Sequence, residues 1–171
     1  ATVNAVTPAG PYVKFVPERQ GERFYTGRID LSPTDRVDFT MRYEYENEGE
    51  RNGGVGGIIL PELARDSNSD KHDVYLTASH ILSAGFIHVP SVHLSYELGR
   101  EGHEHPPTGP MVLVQGAFEG GVLQRYKRRS GFQADILDMA TYRKGRHVLR
   151  FGGRYTPTWV DITDRNDFGG R

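Results

Sequence analysis

Apolar and polar side chains alternate with a period of two through much of this chain. The pattern is clearest from Val37 to Glu46, where Val37, Phe39, Met41, Tyr43 and Tyr45 are interleaved with Asp38, Thr40, Arg42, Glu44 and Glu46. It predicts a two-faced strand, apolar on one side and charged on the other. The segment before it behaves alike: Tyr25, Gly27, Ile29 and Leu31 share one face, and Thr26, Arg28 and Asp30 the other. Ser32-Pro33-Thr34-Asp35-Arg36 between them reads as a tight turn, because proline presets the turn dihedral and Ser and Asp side chains cap it. A second pair sets Val74, Leu76 and Ala78 against Asp73, Tyr75, Thr77 and Ser79. It turns at Ser83-Ala84-Gly85 into Val92, Leu94, Tyr96 and Leu98 against Ser91, His93, Ser95 and Glu97, with Pro90 weakening the start of the run. The third pair covers 132–141 and 147–155, joined at 142–146; its first member is the weakest strand signal, since Asp135 and Asp138 fall on opposite faces.

Turns within each pair are short, whereas the gaps between pairs reach about 25 to 32 residues, far beyond ordinary connections. That asymmetry is the pattern of membrane barrels, which have short periplasmic turns and long extracellular loops. The fold expected is all-β: an antiparallel up-and-down β-barrel, or barrel segment, of about six to eight strands in a single domain over 1–171. The long loops are expected at 47–71 and 99–131, outside the cell, with the turns at 32–36, 83–85 and 142–146 facing the periplasm. Tyr43, Tyr45, Tyr96 and Tyr155 are expected near the outer strand ends, as an interfacial girdle. Segments 112–118 and 158–163 are candidates for additional strands.

Composition narrows the classes. Hydrophobic residues make up 36% of the 171, charged residues 25%, and mean hydropathy is -0.57, too polar for a bundle of spanning helices; 11% aromatic content argues against disorder. A net charge of -1 offers no global field for a phosphate backbone, so no nucleic-acid partner is expected. The lack of cysteine removes disulfides, thiolate metal sites and cysteine nucleophiles. Ala1-Thr2-Val3-Asn4-Ala5-Val6 has no basic region followed by a long apolar core, so no signal peptide is expected within these residues.

Several short motifs carry a family likeness. They are Leu31-Ser32-Pro33-Thr34-Asp35-Arg36; Gly53-Gly54-Val55-Gly56-Gly57 with Leu60-Pro61-Glu62; Val114-Gln115-Gly116-Ala117-Phe118 with Gly120-Gly121; and the run Arg143 to Gly153, followed by Asn166-Asp167-Phe168-Gly169-Gly170. In this order the chain resembles the barrel of TonB-dependent outer-membrane receptors, closest to the Oar-like type with a carboxypeptidase-regulatory-like domain. The resemblance implies nutrient uptake with no bond chemistry, and a place in the bacterial outer membrane. Receptors of that family carry about 22 strands and a plug. Neither a plug nor a TonB box is identified here, so the chain reads as a fragment of such a barrel.

The tightest metal-like cluster is His103-Glu104-His105. Two imidazoles two residues apart on an extended segment point the same way and can share a divalent ion, with His93, Glu97 or a loop carboxylate completing the set. An open coordination position there would permit metal-assisted hydrolysis. The plainer reading, a polar stretch of loop before Pro106-Pro107, carries more weight. Asp161, Asp164, Asn166 and Asp167 crowd hard oxygen ligands together, but Phe168 stands where a calcium loop needs another oxygen.

Two functions follow. The first is a receptor or transporter barrel without a cofactor, whose lumen is lined by Arg28, Asp30, Arg42, Glu44, Glu46, Glu97, Arg150 and Arg154 around a small-molecule ligand, with outer-membrane lipid or detergent outside. The second is a water-soluble barrel of the same ancestry, with a homodimer among its forms, that binds or hydrolyses a small molecule through His93, His103, Glu104 and His105. Alternation alone leaves both open, because it does not say which face is buried.

Overall fold

The computed structural model describes residues 1–102, 109–123 and 125–166. Its strands are β1 (Thr2–Thr7), β2 (Gly10–Phe15), β3 (Arg19–Thr34), β4 (Val37–Gly53), β5 (Arg65–Ser83), β6 (Phe86–Gly102), β7 (Met111–Val114), β8 (Phe118–Gly121), β9 (Arg125–Lys144), β10 (His147–Tyr155) and β11 (Thr158–Asn166). All pairing between them is antiparallel, so the all-β antiparallel class expected from the alternation holds.

The main sheet runs in the order β3-β4-β5-β6-β9-β10, with β11 also on β9. β10 and β11 are one strand with a break. Tyr155 faces Ile136 and Thr158 faces Gln133, so the register continues unchanged across Thr156-Pro157. Proline lacks the N–H that a ladder needs, yet the Pro157 carbonyl still accepts from the Ala134 amide at 3.1 Å, which holds the break in line. The sheet is therefore an up-and-down meander of six positions, open at β3 and at β10–β11 among the described residues.

Short turns gather at one end, at 35–36, 84–85 and 145–146. In the last, Gly145 has φ +59° at the first central position, the conformation a type II′ hairpin requires. Pro90 lies within β6 opposite Asp138, at a point where the β5–β6 ladder skips from Thr77–Ser91 to His80–His88. Its missing donor is accommodated in that gap.

Four strand boundaries differ from the sequence reading. The strands run on through much of 47–71 and 99–131: β4 reaches Gly53, β5 begins at Arg65, β6 reaches Gly102 and β9 begins at Arg125. Charged and glycine-rich stretches such as Glu46 to Gly53 lose the apolar half of the alternation while keeping the ladder, so hydropathy alone ended them early. The segment around Asp135 and Asp138, the weakest strand by pattern, lies in the longest strand of the sheet, held by neighbours on both sides. Segments 112–118 and 158–163 do supply strands, as β7–β8 and β11.

The sheet contributes few buried apolar residues. The hydrophobic cluster lies instead beyond its far end, where the β1–β2 hairpin, the 54–64 connection and the β7–β8 hairpin meet around Val3, Ala5, Val16, Val55 and Leu60. Backbone bonds tie the three segments: Asn4 N–H to Gly57 O at 2.6 Å, Val6 N–H to Ala117 O at 3.2 Å and Leu60 N–H to Glu119 O at 2.8 Å.

Candidate functional site

Antiparallel register puts directly paired residues on the same face, so each row across the sheet can be followed strand by strand. One row is Tyr25–Tyr45–His72–Tyr96–Phe132–Trp159, an aromatic ring on every strand position. Tyr25 and Tyr45 stack at 6.1 Å, Tyr45 meets His72 at 4.9 Å, and Phe132 meets Trp159 at 5.6 Å. Toward the turns the same face carries Ile29–Met41–Leu76–Val92–Ile136–Tyr155. It ends on a second aromatic group, Phe86, Tyr142 and Phe151, with ring separations of 6.2 and 6.4 Å. These side chains meet solvent rather than a second layer: Trp159 is 59% exposed, Tyr155 66% and Phe151 56%. Tyr155 is thus not at an outer end, because the chain continues past it into β11. The band carries one ion pair, His88 Nε2 to Asp138 Oδ1 at 2.5 Å.

The opposite face is charged. Register places Arg28, Asp30, Arg42, Glu44, Glu46, His93, Glu97, Arg150 and Arg154 there together. They fall into separate pairs. Arg28 Nε donates to Asp30 Oδ2 at 2.8 Å, and Thr40 donates to the same carboxylate at 2.7 Å. Arg42 lies 3.5 Å from Glu44, and its guanidinium sits 4.2 Å from the centre of the Tyr75 ring. Arg154 grips Asp135 with two nitrogens, at 2.7 and 2.5 Å, and Thr156 adds a third donor. Glu46 and Glu97 flank Lys71 from the two neighbouring strands, while Arg150 faces Thr141 near the turns.

Asp73 is the centre of this face and the most enclosed of its charged groups, with 5% of its surface exposed. His93 Nε2 lies 2.7 Å from its carboxylate, Lys71 Nζ is at 3.2 Å, and the Ser95 hydroxyl bonds to it as well. The His93 ring then stacks on Tyr75 at 4.2 Å and 5°. The result is a continuous chain of contacts, Glu44–Arg42–Tyr75–His93–Asp73–Lys71. Its parts are mutually satisfied donors and acceptors, which favours a fixed polar lining over a poised nucleophile. Asp73, Lys71, Tyr75 and Asp135 were not among the expected site residues. Tyr75 and Asp135 each lie between two apolar residues and could have been found by alternation, whereas Lys71 and Asp73 sit in the polar run Asp70 to Asp73 and are brought into the site by register.

Farther from the turns this face carries a cavity of about 580 Å³, lined by Glu48, Glu50, Glu97, Glu101, Lys127 and Arg129 among others. Residues of β3 and of β9 reach the same cavity although three strands separate them, so the sheet is curled with its charged face concave.

His103, Glu104 and His105 lie outside the described residues. Among the described residues no group of three or more His, Asp or Glu is placed to hold a metal ion. His93, expected as an additional ligand, is engaged by Asp73. Asp161 and Asp164 belong to β11 and face opposite sides of it, so they do not converge; Asp167 lies outside the described residues. No helix is long and apolar enough to cross a membrane, which leaves crossing by strands unaddressed. No family model matches the chain, and no curated protein matches it.

Proposed function

We propose that this chain forms a six-strand section of an outer-membrane β-barrel of receptor or transporter type, which passes or binds a small polar ligand and performs no bond chemistry. The observation that carries the reading is the apolar band between two aromatic rows on the convex face. On β9 it runs from Phe132 to Tyr142, about ten residue steps or roughly 33 Å of strand. At the tilt usual for barrels, this projects to about 25 Å, the height of the lipid-facing band of such proteins. The concave face, with its paired arginines and carboxylates, then becomes the lumen. Short turns at one end and longer, structured connections at the other match the periplasmic and extracellular sides.

A six-position sheet leaves the edges of β3 and β10–β11 to be covered. Neighbouring strands of a larger barrel, or a second copy of the chain, would do so, and Pro157 on the β10–β11 edge discourages indiscriminate pairing. The likeness to TonB-dependent receptors agrees with this assignment.

The test is light scattering on gel filtration, first without detergent and then with it. Aggregation relieved by detergent or lipid is the expected result. A monodisperse monomer or dimer in plain buffer would overturn the membrane assignment and direct attention to a soluble protein using its polar cavity.

A further inference from the structure

Beyond the aromatic row the two faces differ in charge. On the concave side Glu48, Glu50, Glu97 and Glu101 are accompanied by Lys127 and Arg129, whereas the convex side carries Arg19, Arg23, Arg51, Arg100 and Arg128 with the carboxylates Asp66 and Asp70. Arg19 stands directly across from Arg51, and Arg100 directly across from Arg128. Like charges opposed in this way cost stability unless something neutralises them. On the concave face the comparable pair, Arg28 and Arg42, is answered by Asp30 and Glu44. On the convex face, no carboxylate among the described residues comes within ion-pairing distance of Arg19, Arg23, Arg51, Arg100 or Arg128. The nearby Asp70 is already taken up by neutral donors, Tyr45 Oη at 2.8 Å and Asn47 Nδ2 at 2.9 Å.

The arginines surround a hollow. Gly21 pairs with Gly49, and the absence of two side chains leaves a depression of about 660 Å³ lined by Arg19, Arg23, Arg51 and Arg100, with Asp66, Glu22 and Glu50 also contributing to its wall. A side-chain carbon added at Gly21 would meet nothing within 4 Å. Arg23 is one row above the aromatic girdle and Arg100 two rows above. Those rows correspond to about 5 and 10 Å of height at barrel tilt, the depth of lipid headgroups.

We propose that this basic depression binds the phosphate groups of an anionic glycolipid in the outer leaflet. The inference rests on the outer-membrane reading and adds to it a lipid partner of defined charge. Guanidinium pairs suit phosphate through bidentate hydrogen bonds, and the girdle beneath receives the acyl chains.

The full chain is mixed with vesicles of phosphatidylcholine alone, or of phosphatidylcholine doped with bisphosphorylated lipid A or with its dephosphorylated form. Emission from Trp159, the single tryptophan and a member of the girdle, reports insertion. A blue shift is expected in all three, with tighter, salt-sensitive binding only where phosphates are present. R23Q/R100Q is expected to weaken that phosphate-dependent binding about 30-fold, while R146Q, in the turn at the opposite end, retains it. Insertion with equal affinity for both glycolipids, or an undiminished phosphate effect in R23Q/R100Q, overturns the lipid site and leaves the barrel reading standing. Full competition by inorganic phosphate assigns the depression to a soluble anion and also overturns it. A Trp159 signal unmoved by phosphatidylcholine vesicles overturns the barrel reading itself.

Discussion

Ile136 offers the sharpest test of which solvent the apolar face meets. It lies in β9, four steps below Phe132 and six above Tyr142, which puts it about 10 Å into a band about 25 Å tall. Its row neighbours are Val92 and Tyr155, and 43% of its surface is uncovered by protein. If lipid covers it, Ile136→Lys drives an ammonium close to the bilayer centre, at a cost of about 3 kcal/mol, or a shift of roughly 150-fold in the folded-to-unfolded ratio. If water covers it, the same change is worth about 0.5 kcal/mol or less. Thr77→Lys is the control, because Thr77 lies at nearly the same height but on the charged face, opposite Thr40 and Ser91. Urea unfolding in phosphatidylcholine vesicles, followed through Trp159, measures both. Equal midpoints for I136K and T77K would refute the assignment of faces.

Three further outcomes are expected. Asp73→Ala, which strips His93 and Lys71 of their shared enclosed carboxylate, should lower stability by about 2 kcal/mol in the same unfolding assay; Asp135→Ala, whose partner Arg154 is 65% exposed, should have the smaller effect. Asp138→Leu removes the one carboxylate set in the apolar band beside His88, and should raise unfolding resistance in vesicles by about 1 kcal/mol. Gly120→Val places a side-chain carbon 2.8 Å from Leu60 Cδ1, so the cluster beyond the sheet should loosen by about 1–3 kcal/mol. Hydrogen exchange would show this as faster exchange at the Asn4 and Leu60 amides, with the sheet amides unchanged.

Much of the sheet was legible because period-two alternation is a local property of sequence. Val37 to Glu46 and Val74 to Leu98 carried it, and the turns at Asp35, Ala84 and Gly145 punctuated it. The faces of Arg28, Arg42, Glu44 and Glu97 follow from the same parity. Register was not legible, because it is set between strands. It is register that brings Asp73, His93 and Lys71 together and aligns Tyr25, Tyr45, His72, Tyr96, Phe132 and Trp159 into one row. Strand length was misjudged where glutamate and glycine replaced apolar residues beyond the girdle, since backbone pairing there persists without a hydropathy signal. The break at Pro157 concealed that 158–166 prolongs the preceding strand.

The cluster around Val3, Val55 and Leu60 sets an order of events. Each hairpin of the sheet closes between chain neighbours, whereas the cluster joins Asn4 to Gly57 and Val6 to Ala117, which come near only after the intervening strands have been laid down. Hairpins form in about 1–10 μs, and contacts between distant segments wait on them. Docking of the β1–β2 hairpin thus waits on β3 and β4 for Gly57 and on β3 to β6 for Ala117, while β9 to β11 lie outside both loops, so the hairpin serves as a latch on the first four strands of the sheet.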